Sequence, residues 1–258
     1  MTMNKFIEET VEPNDIDLKS FDVNDNLNPN FWNDDMRLDQ GIRKSLLLIA
    51  KDFIDYCDLG EYDINDVVIT GSIANYNWSK EYSDIDLHIV MNTTEISDNE
   101  TIAKNFCTFA KNLWNKNHTD VSVAGFPVEV YIQDSNEVHK STGVYSLLDD
   151  EWVIKPSKDK MTPEYDDDTV QKNAAYFMNK IDELVDNKDK EDPSILYDKA
   201  CDLMDEIKST RSESLSSAKN PELSTGNIIF KTLRRTDYIE KLVDLKSYLI
   251  DKILSYDI

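Results

Sequence analysis

The glycines are the feature that most restricts the folds open to this chain. The 258 residues include only six glycines, where average usage of about 7% would give roughly eighteen. Their spacing excludes both G-x-G-x-x-G, the dinucleotide-binding turn, and G-x-x-x-x-G-K-[ST], the phosphate-binding loop. Any nucleotide chemistry in this chain therefore needs a different phosphate-binding element. The six positions are Gly41, Gly60, Gly71, Gly125, Gly143 and Gly226.

The charge of the chain limits its partners. It carries 28 basic and 51 acidic side chains, a formal net charge of −23, with 40% hydrophobic residues. That hydrophobic content is typical of a globular protein rather than of a disordered acidic tail. The acidity argues against bulk duplex DNA binding, because such affinity depends on Lys and Arg at the phosphates. An alternative is that the acids themselves mimic DNA and occupy a nucleic-acid-binding partner.

The cysteines and the hydropathy of the chain indicate the cellular compartment in which the protein is found. Cys57, Cys107 and Cys201 form no C-x-x-C pair, so neither a zinc framework nor a disulfide scaffold is expected. The first 15 residues are acidic where a signal peptide needs a basic flank. No stretch approaches the ~18 consecutive apolar residues of a membrane span. We therefore expect a soluble protein of the cytoplasm, with no membrane partner.

Composition and periodicity divide the chain into three parts. Residues 1–35 are acidic and are predicted to form an extended N-terminal arm. Residues 36–156 mix strand and helix patterns and form the expected second domain, beginning with a helix capped by Asp34 or Asp35. Residues 157–258 are predicted to be an all-α domain. The aromatic side chains expected to anchor the arm are Phe6, Phe21, Phe31 and Trp32.

Three short segments of the second part have the pattern of strands. Residues 67–70 are all β-branched and three of them are apolar, residues 85–91 alternate apolar and polar, and residues 127–133 follow a helical pattern at 99–115. This order predicts an α+β fold with a small mixed β-sheet and flanking helices.

Two carboxylates share one face of the second strand. Successive strand side chains alternate faces, so Asp84 and Asp86 point the same way, about 6.6–6.8 Å apart along the strand. Paired carboxylates repel each other and need a compensating cation. Oxygen ligands alone favour Mg²⁺ or Mn²⁺. His88 continues this face, either to support the metal site or as a partly buried histidine bonded to a neighbour.

Glu129 on the third strand supplies a third carboxylate. Its neighbours Val128 and Val130 face the opposite way, so pairing of the two strands would bring Glu129 to the aspartates. Three carboxylates could hold two divalent ions for an in-line displacement at phosphorus. Asp134 and Glu137 are rival third ligands.

Gly71 and Ser72 follow the first strand directly. Glycine permits a tight turn there, and the amides that follow are expected to open a helix, whose N-terminus would attract phosphate. The Ser72 hydroxyl would add a donor. The chain could thus bind a triphosphate without the glycine-rich loops that it lacks.

The motif G-S-x-A…S-D-I-D-L with a later strand carboxylate resembles the DNA polymerase β-like nucleotidyltransferase superfamily. The longer string TGSIANYNWSKEYSDIDLHIV, with FPVEVYIQD and STGVYSL, is similar to nucleotidyltransferase-domain proteins of tailed phages. The match covers residues 67–150. It implies that Asp84, Asp86 and Glu129 are catalytic metal ligands and that Gly71 and Ser72 contact triphosphate, with Ser83 a further nucleotide-binding candidate.

A basic segment stands out in the last part of the chain. Residues 219–252 carry seven bases and five acids, and Lys231, Arg234, Arg235 and Tyr238 recur at the spacing of one helical face. Guanidinium groups pair phosphate oxygens in a bidentate way, so Lys231, Arg234 and Arg235 are candidate nucleotide-binding residues. The alternative is an ordinary solvated helix face.

The sequence favours a Mg²⁺-dependent nucleotidyltransferase that moves a nucleoside monophosphate from an NTP to an acceptor hydroxyl and releases pyrophosphate. The acceptor is open, with a protein side chain or small molecule slightly ahead of a tRNA or oligonucleotide end. A non-catalytic nucleotide-binding module is a further alternative. Residues 141–152 either line a base pocket, with Tyr145 or Trp152 on the nucleobase, or form a hinge.

Overall fold

A computed structural model describes residues 10–139 and 141–255. The chain divides into two compact units. The sheet unit comprises Asp22–Met161, and the helical unit comprises Thr162 onward together with the described residues of the segment ending at Phe21. The expected boundaries were at residues 35 and 156, and the division into domains stays a prediction.

A six-stranded mixed sheet forms the sheet unit. The strands are β1 Ile64–Thr70, β2 Ile85–Met91, β3 Ser122–Val123, β4 Phe126–Asp134, β5 Val144–Ser146 and β6 Glu151–Ile154. They are ordered β3-β4-β2-β1-β5-β6. β2 and β4 are parallel, and the other neighbours are antiparallel. Two helices, α1 Gln40–Tyr56 and α2 Glu100–Asn117, accompany the sheet.

Alternation along β2 sets which face of the sheet is apolar. Ile85, Leu87 and Ile89 are fully buried in the core, and Leu46 and Phe53 of α1 join them. Trp114 of α2 closes the same core against Phe53, with ring centroids 5.9 Å apart. The intervening β2 side chains therefore point to the other face of the sheet.

Aromatic side chains before α1 belong to this core. Phe31 and Trp32 are 1% and 4% exposed. The Trp32 indole donates to the Ile73 carbonyl at 2.8 Å and stacks on Trp152 at 4.5 Å. These two anchors are buried as expected. Phe21 is also buried, in the helical unit, and Phe6 lies outside the described residues.

The cap of α1 corrects the sequence expectation. Asp39, rather than Asp34 or Asp35, accepts hydrogen bonds from the Gly41 and Ile42 amides at 2.8 and 3.0 Å. Asp34 and Asp35 instead lie in a turn that precedes Met36, whose φ is 59°. The turn is stabilised by the Asn33 side chain, which accepts from the amides of Asp35 and Arg37.

Four helices build the helical unit. They are α3 Asp167–Asp186, α4 Pro193–Ser217, α5 Thr225–Arg235 and α6 Tyr238–Leu254. α4 and α5 approach closely at Gly226, where a Cβ would lie 2.3 Å from the Thr210 carbonyl oxygen. The sheet with its helices, followed by helices alone, confirms the predicted α+β class.

Among the described residues, no helix combines the length and apolar content needed to cross a bilayer.

We expect Asp39→Ala to lower the free energy of unfolding by about 1 kcal/mol, because it removes the acceptor for two amides of α1. Urea denaturation followed by circular dichroism measures the loss. Asp35→Ala is the matched control, because it removes the same charge four residues earlier and should leave the unfolding free energy within about 0.5 kcal/mol. Equal losses in both variants would contradict the assignment of the cap.

Candidate active site

Parallel pairing of β2 with β4 brings two of the three predicted carboxylates side by side. Asp86 is the direct partner of Glu129 in the strand register. Asp84 lies two residues earlier on the same side of the chain, immediately before β2 begins. All three are half-buried, while the intervening Ile85 and Val130 are fully buried. The pairing on which the sequence argument for Glu129 depended is present in the sheet.

Asp84, Asp86 and Glu129 define a surface of the sheet that is called the acidic face below. Gly71 is in direct contact with it. Its φ is +70°, and a Cβ at this position would lie 1.9 Å from Asp86 Oδ2. Two independent constraints therefore require glycine here: the left-handed backbone and the carboxylate in the place of a side chain. The helix expected after Ser72 is absent, since residues 71–76 form turns and bends. A left-handed glycine directs the chain into a turn rather than into a first helical turn.

Ser72 and Ser83 hold the two ends of the connecting loop together. Their hydroxyl oxygens are 2.7 Å apart. Ser83 is 6% exposed, and its hydroxyl accepts from the Ser79 amide at 2.8 Å. These contacts fix Ser72 beside Gly71 at the start of the loop, and Ser83 beside Asp84 at its end.

Tyr131 is a site residue that the sequence analysis missed. Its hydroxyl donates a hydrogen bond to the Glu129 carboxylate. The ring stacks on His88, with centroids 4.9 Å apart and planes 23° apart, and the Lys111 ammonium lies 3.8 Å from its centroid. The two-residue spacing from Glu129 was the available signal, because it places both side chains on one face of β4.

The charges of the acidic face act on the Tyr131 hydroxyl. Burial raises its pKa well above the usual tyrosine range, and the negative charges of Asp86, Glu129 and Asp84 raise it further. The hydroxyl therefore remains protonated and remains a donor. The same effect shows that all three carboxylates are electrostatically close to one point on the sheet.

Both ring nitrogens of His88 have hydrogen-bond partners. Burial lowers its pKa to about 4, so the ring is neutral near pH 7. Its Nδ1 lies 2.9 Å from Gln133 Oε1 and its Nε2 lies 3.3 Å from Thr70 Oγ1. Of the two possibilities for this histidine, the partly buried, hydrogen-bonded one fits these contacts.

A cavity of about 470 Å³ opens on the face of the sheet that carries His88 and Tyr131. It extends from the Tyr131 ring toward the segment that follows β4. The lining residues are Thr70, His88, Tyr131, Ile132, Gln133, Glu137, Val138, His139 and Ser141.

The donor set is the one that Mg²⁺ prefers, since all three carboxylates offer oxygen. Within residues 10–139 and 141–255, however, no three His, Cys, Asp or Glu side chains form a group arranged to hold a metal ion. Glu129 accepts a hydrogen bond from Tyr131. The rival Asp134 accepts from Thr93 and from the Asn136 amide at the far end of β4.

The helical unit brings its basic residues together. The pKa of Lys231 is lowered by burial and by the positive charges of Arg235, Arg234 and Arg211, while Glu222 acts in the opposite direction. Arg211, on α4, is an addition to the residues expected from the sequence. The set of Arg211, Lys231, Arg234 and Arg235 is called the basic cluster below.

Members of the basic cluster differ in what they contact. Arg235 donates to Ser20 and lies 3.9 Å above the Phe21 ring, so much of its side chain is used structurally. Arg211 Nε donates to Asn227 Oδ1 at 3.0 Å. Arg234 is exposed. Tyr238 donates to Asp182 at 2.9 Å and so contributes to helix packing.

Residues 141–152 contribute to the core. Tyr145 is 2% exposed, lies 5.0 Å from Trp32 between ring centroids, and donates to Asp150 at 3.0 Å. Trp152 donates to the Met36 carbonyl at 2.7 Å. Tyr145 is therefore a core residue, whereas Trp152 is half-buried with one face of its ring against Trp32.

Comparisons with known proteins identify no family for this chain. No family model matches the chain, and no curated protein matches it. A solved structure of a STING-associated CdnE c-di-GMP synthase from Capnocytophaga granulosa is 12% identical over 84% of each chain, with a TM-score of 0.23. At that score the likeness carries no argument about this chain.

We expect Gly71→Ala to lower the free energy of unfolding by about 2 kcal/mol or more, because left-handed backbone alone costs alanine about 1–2 kcal/mol and the Asp86 carboxylate must also move. Gly125→Ala is the matched control for the backbone, since its φ is +84° with nothing within 4 Å of a Cβ. Gly60→Ala controls for both effects, because the backbone at Gly60 is not left-handed and nothing lies within 4 Å of a Cβ there. Urea denaturation of the three variants separates the two costs, and equal losses at positions 71 and 125 would contradict the close approach of Asp86.

Proposed function

We propose that this chain is a metal-dependent nucleotidyltransferase that transfers a nucleoside monophosphate from an NTP to an acceptor hydroxyl and releases pyrophosphate. The observation that carries the proposal is the register of β2 and β4, in which Asp86 faces Glu129 beside a glycine that contacts Asp86. Carboxylates on neighbouring strands beside a tight turn suit the chemistry of phosphoryl transfer.

In this proposal Asp84, Asp86 and Glu129 bind two Mg²⁺ or Mn²⁺ ions. When bound, such ions activate an attacking oxygen and stabilise charge on the leaving group. The Gly71–Ser72 turn receives the phosphates through its backbone amides and the Ser72 hydroxyl. Ser83 supports this turn through its contact with the Ser72 hydroxyl.

Nucleotide binding by the basic cluster is a second part of the proposal. Lys231, Arg234 and Arg235 were candidates from the sequence, and their mutual proximity in the helical unit supports them. Among the described residues, no carboxylate lies within ion-pair distance of Lys231 or Arg211. In a chain of net charge −23, an anionic ligand is the natural counter-charge for this group.

The acceptor proposed is a protein side chain or a small molecule, in preference to a tRNA or oligonucleotide end. The charge of −23 supports this order, because long nucleic acids bind through many phosphate contacts. Incubation with each α-³²P-labelled NTP and Mg²⁺ in a bacterial lysate, followed by separation of protein, RNA and small molecules, tests the order. Label in the RNA fraction alone would reverse it.

A second candidate is a nucleotide-binding module without turnover. It is favoured by the lack of a ready three-ligand group in the described residues. It predicts NTP binding with no Mg²⁺-dependent release of pyrophosphate. An acidic DNA mimic, the third possibility, predicts an activity that survives substitution of Asp84, Asp86 and Glu129.

We expect Asp86→Asn to reduce Mg²⁺-dependent pyrophosphate release by at least 100-fold while the protein stays folded, because the amide is neutral and a poorer ligand. A coupled pyrophosphate assay measures turnover, and thermal unfolding checks the fold. Asp63→Asn is the matched control, because Asp63 is exposed and lies just before β1. Turnover retained by Asp86→Asn would rule out the proposed catalytic role.

We expect Lys231→Met to raise the Kd for NTP about tenfold or more, because it removes a desolvated ammonium from the basic cluster. Equilibrium dialysis with labelled NTP measures the change. Lys246→Met, a half-buried lysine of α6 outside the cluster, should leave the Kd unchanged. Equal effects of the two substitutions would show that only the overall charge matters.

A further inference from the structure

We propose that Tyr131 is a positioning residue that orients the Glu129 carboxylate for metal binding. The inference rests on the proposed function, because it gives Tyr131 a role in the same acidic site. It extends that function to a residue outside the motif that led to the site.

The hydrogen bond between the two side chains is the first support. The Tyr131 hydroxyl donates to Oε2 of Glu129. A carboxylate has two oxygens, so this contact leaves Oε1 as a ligand atom while it restricts rotation of the group. Ligating carboxylates in metal sites are usually held by such a partner.

The second support is that the Tyr131 ring is itself held. It stacks on His88 at 4.9 Å and lies 3.8 Å from the Lys111 ammonium. His88 is fixed in turn by Gln133 and Thr70, on the strands either side of β2. Because contacts on three strands hold the Tyr131 ring, its hydroxyl can fix the orientation of the Glu129 carboxylate.

The test is Mn²⁺ binding by the full chain, measured from the electron paramagnetic resonance signal of free Mn²⁺. Tyr131→Phe keeps the ring and removes the hydroxyl, and we expect its Kd for Mn²⁺ to rise about 10–100-fold. Tyr145→Phe is the matched control, because it removes a tyrosine–carboxylate bond to Asp150 in the same unit. Its Kd for Mn²⁺ should equal that of the wild type.

A double-mutant cycle separates positioning from a loss of stability. In a Glu129→Ala background, Tyr131→Phe should have no further effect on Mn²⁺ binding, because the carboxylate that Tyr131 would position is gone. An effect that persists there, as a folding defect would, overturns the inference. Equal Mn²⁺ affinity in the wild type and Tyr131→Phe also overturns it while leaving the proposed function intact. A wild-type chain that binds no Mn²⁺ overturns both.

Discussion

Parallel pairing of β2 with β4 is the interaction on which the candidate site depends. A parallel pair cannot be closed by a short hairpin, so the chain must leave the sheet and return. Here α2 and the short β3 make that connection. The register then decides the chemistry, since a shift of one residue would place Glu129 in the core and Val130 beside Asp86. Burial of Ile85, Leu87 and Val130 therefore fixes the acidic face.

Much of this arrangement could be predicted from the sequence because strand alternation is a local pattern. The segment 85–91 alternates clearly enough to give the strand, its faces and the common orientation of Asp84 and Asp86. The bounds of β4 were predicted to within one residue at each end. Pairing of the two strands was only a condition in the sequence argument, because register depends on contacts between distant segments.

Features set by tertiary contacts were missed. A tight turn was predicted at Gly71, but the helix expected after Ser72 is missing, and the carboxylate of Asp86, fifteen positions further on, occupies the space beside Gly71. Asp39 caps α1 because the Asn33 side chain closes a turn before it, which makes Asp34 and Asp35 part of that turn. Arg211 joins the basic cluster only through the close approach of α4 and α5 at Gly226.

The contact between Tyr131 and Glu129 bears on both leading functions. Three carboxylates on one face repel one another, and a hydrogen bond from a neutral hydroxyl stabilises the charge of the one that accepts it. In a metal site, this hydrogen bond would hold Glu129 in place and leave its other oxygen as a ligand atom. A purely structural acidic face would adopt the same hydrogen bond. A metal site and a structural face differ in their response to a cation. In a metal site the held carboxylate raises the affinity for the cation, whereas in a structural face it adds only to stability. Mn²⁺ affinity and the free energy of unfolding therefore respond separately to removal of the Tyr131 hydroxyl.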